Sequence, residues 1–232
     1  MKKIFYLVFI LTVTAGSVAA QQKITVNVKT ETEYDKILPS EMIYEYKDFQ
    51  PGKLYYTGGN VVKHNFNYNL STKALLFKDK SDRILEFAFP DQIKMVMIDS
   101  TYWVPLKGGL GKIVYNRDSL DLVKYRETVC TDIRKEGAFG GMSNTSAITN
   151  ISSIQGSGSS RMVLAVKGEY DFETKVSYFL KIGDKIEYAD AKGFRKLFPR
   201  QKNEINSLIK SRKLNLDEES DIIELIKILT FK

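Results

Sequence analysis

The sequence predicts a mainly β protein, an antiparallel meander in the form of a sandwich, a roll or a partly closed barrel, followed by a short C-terminal helical tail. Three observations predict it. From His64 to Tyr125, apolar or alternating runs are separated by small polar turns roughly every eight to twelve residues, the spacing of antiparallel strands laid side by side. Tyr and Phe number 13 each beside one Trp, a composition that suits a pleated surface. Beyond Ala191 the apolar period changes from two to about 3.6, which marks a switch from strand to helix.

The chain begins with Met1-Lys2-Lys3, a compact apolar run from Ile4 to Val13, and Val18-Ala19-Ala20 before Gln21. A positive start, an apolar middle and a small-residue cleavage site predict a signal peptide over 1–20, and with it export to the periplasm or the outer membrane. That apolar run is too short to span a bilayer comfortably, and no later stretch reaches about 18 uninterrupted apolar residues, so no transmembrane span is expected after processing. The 232 residues, 43% hydrophobic and 27% charged, suffice for one substantial core or two small ones. The formal charge is +7, part of it in Lys2 and Lys3 of the expected leader. The remaining excess suits an acidic surface such as lipopolysaccharide or anionic lipid, and solubility alone would also account for it.

The predicted β domain covers 21–190. Ile24, Val26 and Val28 alternate with Thr25, Asn27 and Lys29, a half-buried strand. Thr30 to Ser40 is a charged connector, Met42 to Tyr46 a second strand, and Gln50-Pro51-Gly52 and Gly58-Gly59-Asn60 are turns. Phe66, Tyr68 and Leu70 then share one face while Asn65, Asn67 and Asn69 share the other, which predicts one side on the core and one in water. Ser71 to Lys73 turns the chain into a strand at Ala74 to Phe77, Lys78 to Asp82 is a charged loop, and Leu85, Phe87 and Phe89 alternate in the next strand. Ile93 to Ile98 is apolar on most of both faces, the mark of a central strand. Asp99-Ser100, Gly108-Gly109 and Asn116 to Ser119 lead into strands at Tyr102 to Val104, Ile113 to Tyr115 and Leu120 to Cys130.

From Gly137 to Ser160 the composition turns to Gly, Ser, Thr and Asn. So little apolar surface cannot offset the entropy of ordering, and 137–160 reads as a flexible loop. Ala138, Phe139, Ile148, Ile151 and Ile154 are the residues that would fold it over a site. Strands resume at Met162 to Val166 and Val176 to Ile182, and Gly183-Asp184 turns the latter into a hairpin with Lys185 to Tyr188. The helical tail covers 191–232. Phe194, Leu197 and Phe198 form a first apolar turn, Pro199 opens the next helix with Ile205, Leu208 and Ile209 as its stripe, and Glu218, Glu219 and Asp221 start a third. Ile222, Leu225, Ile226 and Leu229 supply its buried face.

Candidate chemistry is sparse. Lys192 to Lys213 holds Lys192, Arg195, Lys196, Arg200, Lys202, Lys210, Arg212 and Lys213 against Glu204 alone. Arg195, Lys196, Arg200 and Lys202 are the candidate contacts for an anionic surface, while the acidic run from Asp217 to Glu224 offers the alternative of a solvated, balanced face. Aromatic interleaving is missing there, so nucleic acid is not an expected partner. His64 and Cys130 are the only residues of their types, which excludes a multi-histidine metal site within the chain and any intramolecular disulfide. His64 reads as a boundary residue or a general base, and Cys130 as a small buried hydrophobe or a nucleophile. Lys107 to Lys112 reads KGGLGK, but Leu106 replaces the first glycine of a phosphate loop and Ile113 its Ser/Thr, leaving a glycine-rich hairpin turn. Asp99, Asp118 and Asp121 serve as turn residues or as a group of carboxylates. No cofactor is expected.

The strings FNYNLSTKALLFKD, FAFPDQIKMVMI, EGAFGGMSNTSAITNISS and KLFPRQKNEINSLIKSRKLNLDEESDIIELIKIL resemble a group of uncharacterised exported proteins of Bacteroidetes, over most of the chain that follows the leader. The resemblance implies a periplasmic or envelope-associated location and carries no activity or residue role. The leading expectation is an exported envelope-associated binding or structural protein without catalytic activity, engaging an envelope protein, polysaccharide or anionic lipid through its sheet or long loop. The alternatives are a hydrolase with its site under the 137–160 loop, using Cys130 or His64, and a β-barrel carrier of an apolar ligand.

Overall fold

A computed structural model describes residues 22–30, 32–136, 142–143, 151–156, 159–164 and 167–230. The expected leader at 1–20 lies outside the described residues, as does most of the expected loop at 137–160. The strands are β1 (Lys23–Val28), β2 (Thr32–Glu33), β3 (Gln50–Tyr56), β4 (Val61–Asn69), β5 (Ala74–Lys78), β6 (Ile84–Glu86), β7 (Ile93–Ile98), β8 (Thr101–Leu106), β9 (Gly109–Arg117), β10 (Leu120–Glu136), β11 (Met142–Ser143), β12 (Ile151–Gly156), β13 (Ser159–Leu164), β14 (Gly168–Ile182) and β15 (Lys185–Tyr188). Among the described residues four α-helices join them: α1 (Ser40–Ile43), α2 (Ala191–Leu197), α3 (Lys202–Arg212) and α4 (Glu219–Thr230). Parts of the 137–160 stretch are therefore strand, at β11, β12 and the start of β13.

The fold is mainly antiparallel β with a helical C-terminal region, as the alternation predicts. The main sheet runs β1-β14-β10-β9-β8-β7-β3-β4-β5-β6, with β11 on β10 and β15 on β14, and β12-β13-β2 form a small second sheet. The main sheet is open, with β1 and β6 at its ends, yet it curls on itself. Thr128 N–H in β10 donates to the Leu70 carbonyl just past β4 at 3.0 Å. One backbone bond is not a ladder, so the curl stops short of a closed barrel.

Among the described residues three apolar clusters hold the fold. Leu54, Phe66, Tyr68, Leu75, Val96, Ile98, Trp103 and Leu110 fill the inside of the curl. Leu120, Leu122 and Leu180 meet Phe194, Ile205, Ile222, Leu225 and Leu229 of the helices. Val28, Tyr34, Met42, Ile43, Leu164, Tyr170 and Phe172 form the third, where the connector and α1 cover the β1–β14 end. Asp190 caps α2 by accepting from the Gly193 N–H at 2.6 Å, and Pro199 starts the short 3-10 turn that leads into α3.

Four local expectations are corrected. Residues Met42 to Tyr46 are not a strand: α1 occupies Ser40–Ile43, and Tyr44 makes a single bridge to Asn69. Gln50-Pro51-Gly52 is not a turn but the start of β3. Pro51 is tolerated at that strand end, where its carbonyl accepts from the Asp99 N–H at 3.2 Å. The strand expected through Phe89 stops at Glu86, and Phe89 is 60% exposed.

The asparagine face of β4 is the fourth correction. Asn65 is exposed, but Asn67 and Asn69 are only 1% and 5% exposed. Asn67 accepts from the Tyr46 N–H at 3.1 Å and donates to the Tyr46 carbonyl at 2.8 Å, standing in for a backbone partner. Asn69 accepts from the Ser71 and Thr72 N–H groups, each at 3.0 Å, and its amide donates to the Tyr34 hydroxyl at 2.7 Å. Buried amides are tolerable when their bonds are made, so the side chains meant for water instead tie the 34–46 segment over the sheet.

Candidate functional site

The other end of that outer face is uncovered. Directly paired residues on neighbouring antiparallel strands point to the same side of a sheet. Lys53 pairs with Lys63 and Met97, and Met97 with Tyr102, so these four form one row across β4, β3, β7 and β8. Tyr55 pairs with Val61 and Met95, a parallel second row. The alternate residues Leu54, Val96 and Trp103 are buried inside the curl, which sets the two rows on the outside. Val61 and Tyr102 are 49% and 43% exposed there.

β7 shows how this face stays open. It is central in strand order, as expected, but the expected burial of both faces is not found. Ile93, Val96 and Ile98 are buried, while Met95 and Met97 are only half-buried. The β3–β7 register slips between Tyr55 and Tyr56, a bulge that moves Ile93 onto the inner set and breaks strict alternation.

An open cleft of about 600 Å³ lies on this surface, lined among others by Lys53, Lys63, His64, Lys78, Lys80 and Met97. Its floor depends on Gly52, where a Cβ would collide with the Met97 carbonyl and the Phe66 ring. Asp99 and Ser100, with φ of 45° and 63°, make the left-handed two-residue turn that joins β7 to β8 at its rim. The β5–β6 loop forms one wall and is built on Asp79. That carboxylate accepts from the Ser81 N–H at 2.8 Å, the Arg83 N–H at 3.0 Å and the Arg83 guanidinium at 2.7 Å. The Arg83 backbone N–H, helped by the side chains and N–H groups around it, holds Asp79 below the usual carboxylate range.

The charge around the cleft is lopsided. Asp79 is consumed by Arg83, leaving Asp99 as the other lining carboxylate. Lys78 Nζ stands 5.4 Å from the Phe49 ring centroid and 4.0 Å from Asp82. Lys53, Lys63 and Lys80 have no ion-pair partner among the described residues. Lys53 and Lys63 face each other directly, an arrangement that destabilises a hairpin because like charges repel. An anion seated between them would relieve that repulsion.

His64 is among the residues lining this cleft, but it pairs with Gly52, the partner of the inner-set Ile98, and its ring lies against Phe77, 5.0 Å between centroids, and Phe66, 6.0 Å. No nucleophile or carboxylate accompanies it in those contacts. Cys130 lies at the edge of the third cluster, its thiol directed to the Asp132 carbonyl at 3.4 Å, and burial pushes it up to about 11. Such a thiol stays protonated near neutrality. Most of residues 137–160, under which the hydrolase reading puts its site, lies outside the described residues.

The helical basic residues stand apart from the cleft. Lys196 pairs with Glu187 at 2.7 Å, Arg195 donates to Asn206 at 2.9 Å, and Arg212 pairs with Glu224 at 2.7 Å. Arg200 and Lys202 are exposed. Asp99 and Asp118 take positive-φ positions in the β7–β8 and β9–β10 turns, and Asp121, in β10 beside the second turn, accepts from Asn116 at 2.7 Å. Gly108, with φ of 99°, turns β8 into β9 as the glycine-rich hairpin requires. Among the described residues no group of three or more His, Cys, Asp or Glu could hold a metal ion, and no helix is long and apolar enough to cross a membrane.

The sequence did carry one signal for the cleft. Lys53 and Lys63 stand at equal distances on either side of Gly58, so a hairpin centred on that glycine makes them cross-strand partners. Lys78 and Lys80 are brought in only by the β4–β5 pairing. No protein-family model matches the chain, and no curated protein or solved structure shows significant similarity to it.

Proposed function

We propose that this protein is an exported, envelope-associated binding protein without catalytic activity, and that it takes an anionic group into the lysine cleft on its outer sheet face. The observation that carries this reading is the directly opposed Lys53–Lys63 pair, joined by Lys78 and Lys80 around a cleft whose Asp79 is already neutralised. Cations that repel each other without a partner are expected where a ligand completes the charge balance. The leader-like start and the resemblance to exported proteins support the location. The protonated Cys130 thiol and the phenylalanine contacts of His64 support a role in binding rather than turnover.

Calorimetric titration of the chain lacking residues 1–20 with inorganic polyphosphate tests the reading. Binding that weakens steeply with salt and disappears in a Lys53→Glu/Lys63→Glu variant with an unchanged circular dichroism spectrum is expected. Absence of binding, or binding that the variant retains, overturns it.

A further inference from the structure

We infer that the anion is presented by a membrane, and that the two outer rows dock this face on the headgroup layer of an anionic lipid bilayer. The inference rests on the cleft being an anion site and adds what surrounds it. A free phosphate needs only charge. This face continues from Lys63 and Lys53 directly into Met97 and Tyr102, and from Val61 through Tyr55 to Met95, so its cationic side and its apolar, aromatic side are contiguous.

Each half of that surface matches one layer of a bilayer boundary. Lysine reaches anionic headgroups while its methylene stem lies on apolar surface. Tyrosine suits a boundary that is apolar at one end and wet at the other, and methionine adapts to irregular apolar contact. Neighbouring strands about 4.8 Å apart make the four-strand row roughly 15 Å wide, a patch broad enough to meet several headgroups and not a slot for one ion. The exposures of Val61 and Tyr102 leave this apolar side available to solvent among the described residues. Charge complementarity selects the occupant: Lys53, Lys63, Lys78 and Lys80 favour an anionic bilayer over a neutral one.

Co-sedimentation of the chain lacking residues 1–20 with vesicles of phosphatidylglycerol and phosphatidylcholine, against phosphatidylcholine alone, tests this beside the polyphosphate titration. Binding to the anionic vesicles only is expected. A Val61→Ser/Tyr102→Ser variant, changed only at exposed positions outside the cleft lining, should keep its polyphosphate affinity and lose vesicle binding about tenfold, and Lys53→Glu/Lys63→Glu should lose both. Polyphosphate binding without vesicle binding overturns the lipid inference and leaves the anion site standing. Vesicle binding that survives Val61→Ser/Tyr102→Ser also overturns it, since charge alone would then suffice. A dimer in sedimentation analysis that Tyr102→Ser abolishes would assign the face to a second copy and overturn it as well. Binding to neither probe removes the anion site itself.

Discussion

The Tyr68 hydroxyl accepts the Leu110 N–H at 3.0 Å, a bond made across the inside of the curled sheet from β4 to β9. Tyr68 is fully buried, and that burial raises its phenol well above the ordinary range, so the hydroxyl stays neutral at any working pH. Gly109 gives it room, because a Cβ there would meet both this hydroxyl and the Tyr125 ring. Tyr68→Phe keeps the ring and strands the Leu110 N–H without a partner. A loss of about 1–3 kcal/mol is expected, read as a lower urea midpoint at unchanged slope. An unchanged midpoint would show that the bond contributes nothing to holding the curl.

Asn69 gathers more bonds than any other side chain of β4. Asn69→Leu is close in volume but removes acceptors for the Ser71 and Thr72 N–H groups and a donor to Tyr34. A loss of about 2 kcal/mol or more is expected from the stranded buried groups. Asn65→Leu, on the exposed part of the same face, should change stability by less than about 0.5 kcal/mol. Equal effects at the two positions would mean that the asparagine stripe is solvated after all.

Strand positions and turns were readable because their signals are local. Period-two runs and the residues at Gly58-Gly59, Asp99-Ser100, Gly108-Gly109 and Gly183-Asp184 fix where the chain runs and reverses. Which faces are covered was not readable. Asn67 and Asn69 look like solvent residues until Tyr34 and Tyr46, far away in sequence, are laid over them. Met95 and Met97 look like core until a bulge opposite β3 shifts the phase of β7. Both are tertiary effects that override a local pattern. The candidate site lies where these two effects leave the outer face bare.

Asp171 makes stability depend on acidity. It accepts from Thr25 at 2.6 Å and from the Arg134 guanidinium at 2.9 and 3.1 Å, and Arg134 foremost holds its carboxyl below the usual range. A depressed folded value means that the contribution is fully present above the unfolded pKa of about 3.9 and is lost as pH falls through the folded value. Urea midpoints should therefore drop on acidification below about pH 4, and Asp171→Asn should flatten that acid limb while lowering the midpoint at neutral pH. An acid limb of the same slope in the variant would assign it to other carboxylates.

Cys130 should be a slow thiol. Burial raises it to about 11, against about 8.5 for a free cysteine, and only the thiolate reacts. Alkylation by iodoacetamide at pH 8 is expected to run about two orders of magnitude slower than for a free thiol and to accelerate towards pH 10. Fast labelling at pH 8 would point to an activated thiol and revive the nucleophile reading.

Gly52 links stability to binding. A side chain there would strike the Met97 carbonyl and the Phe66 ring, so β3 and β7 can approach closely at the cleft floor only because the Cβ is missing. Gly52→Ala must push the two strands apart or displace Phe66 from the core, and either costs about 1–3 kcal/mol as overpacking does. The same shift would separate Lys53 from Met97, so polyphosphate affinity should fall together with stability. Gly58→Ala is the control: nothing lies within 4 Å of a Cβ at that turn, so neither property should move much. Thermal melts and titrations of the two variants decide between the outcomes. A Gly52→Ala protein as stable as wild type would mean that the sheet yields there, and a stable variant that has lost affinity would show the cleft floor to be set for binding alone.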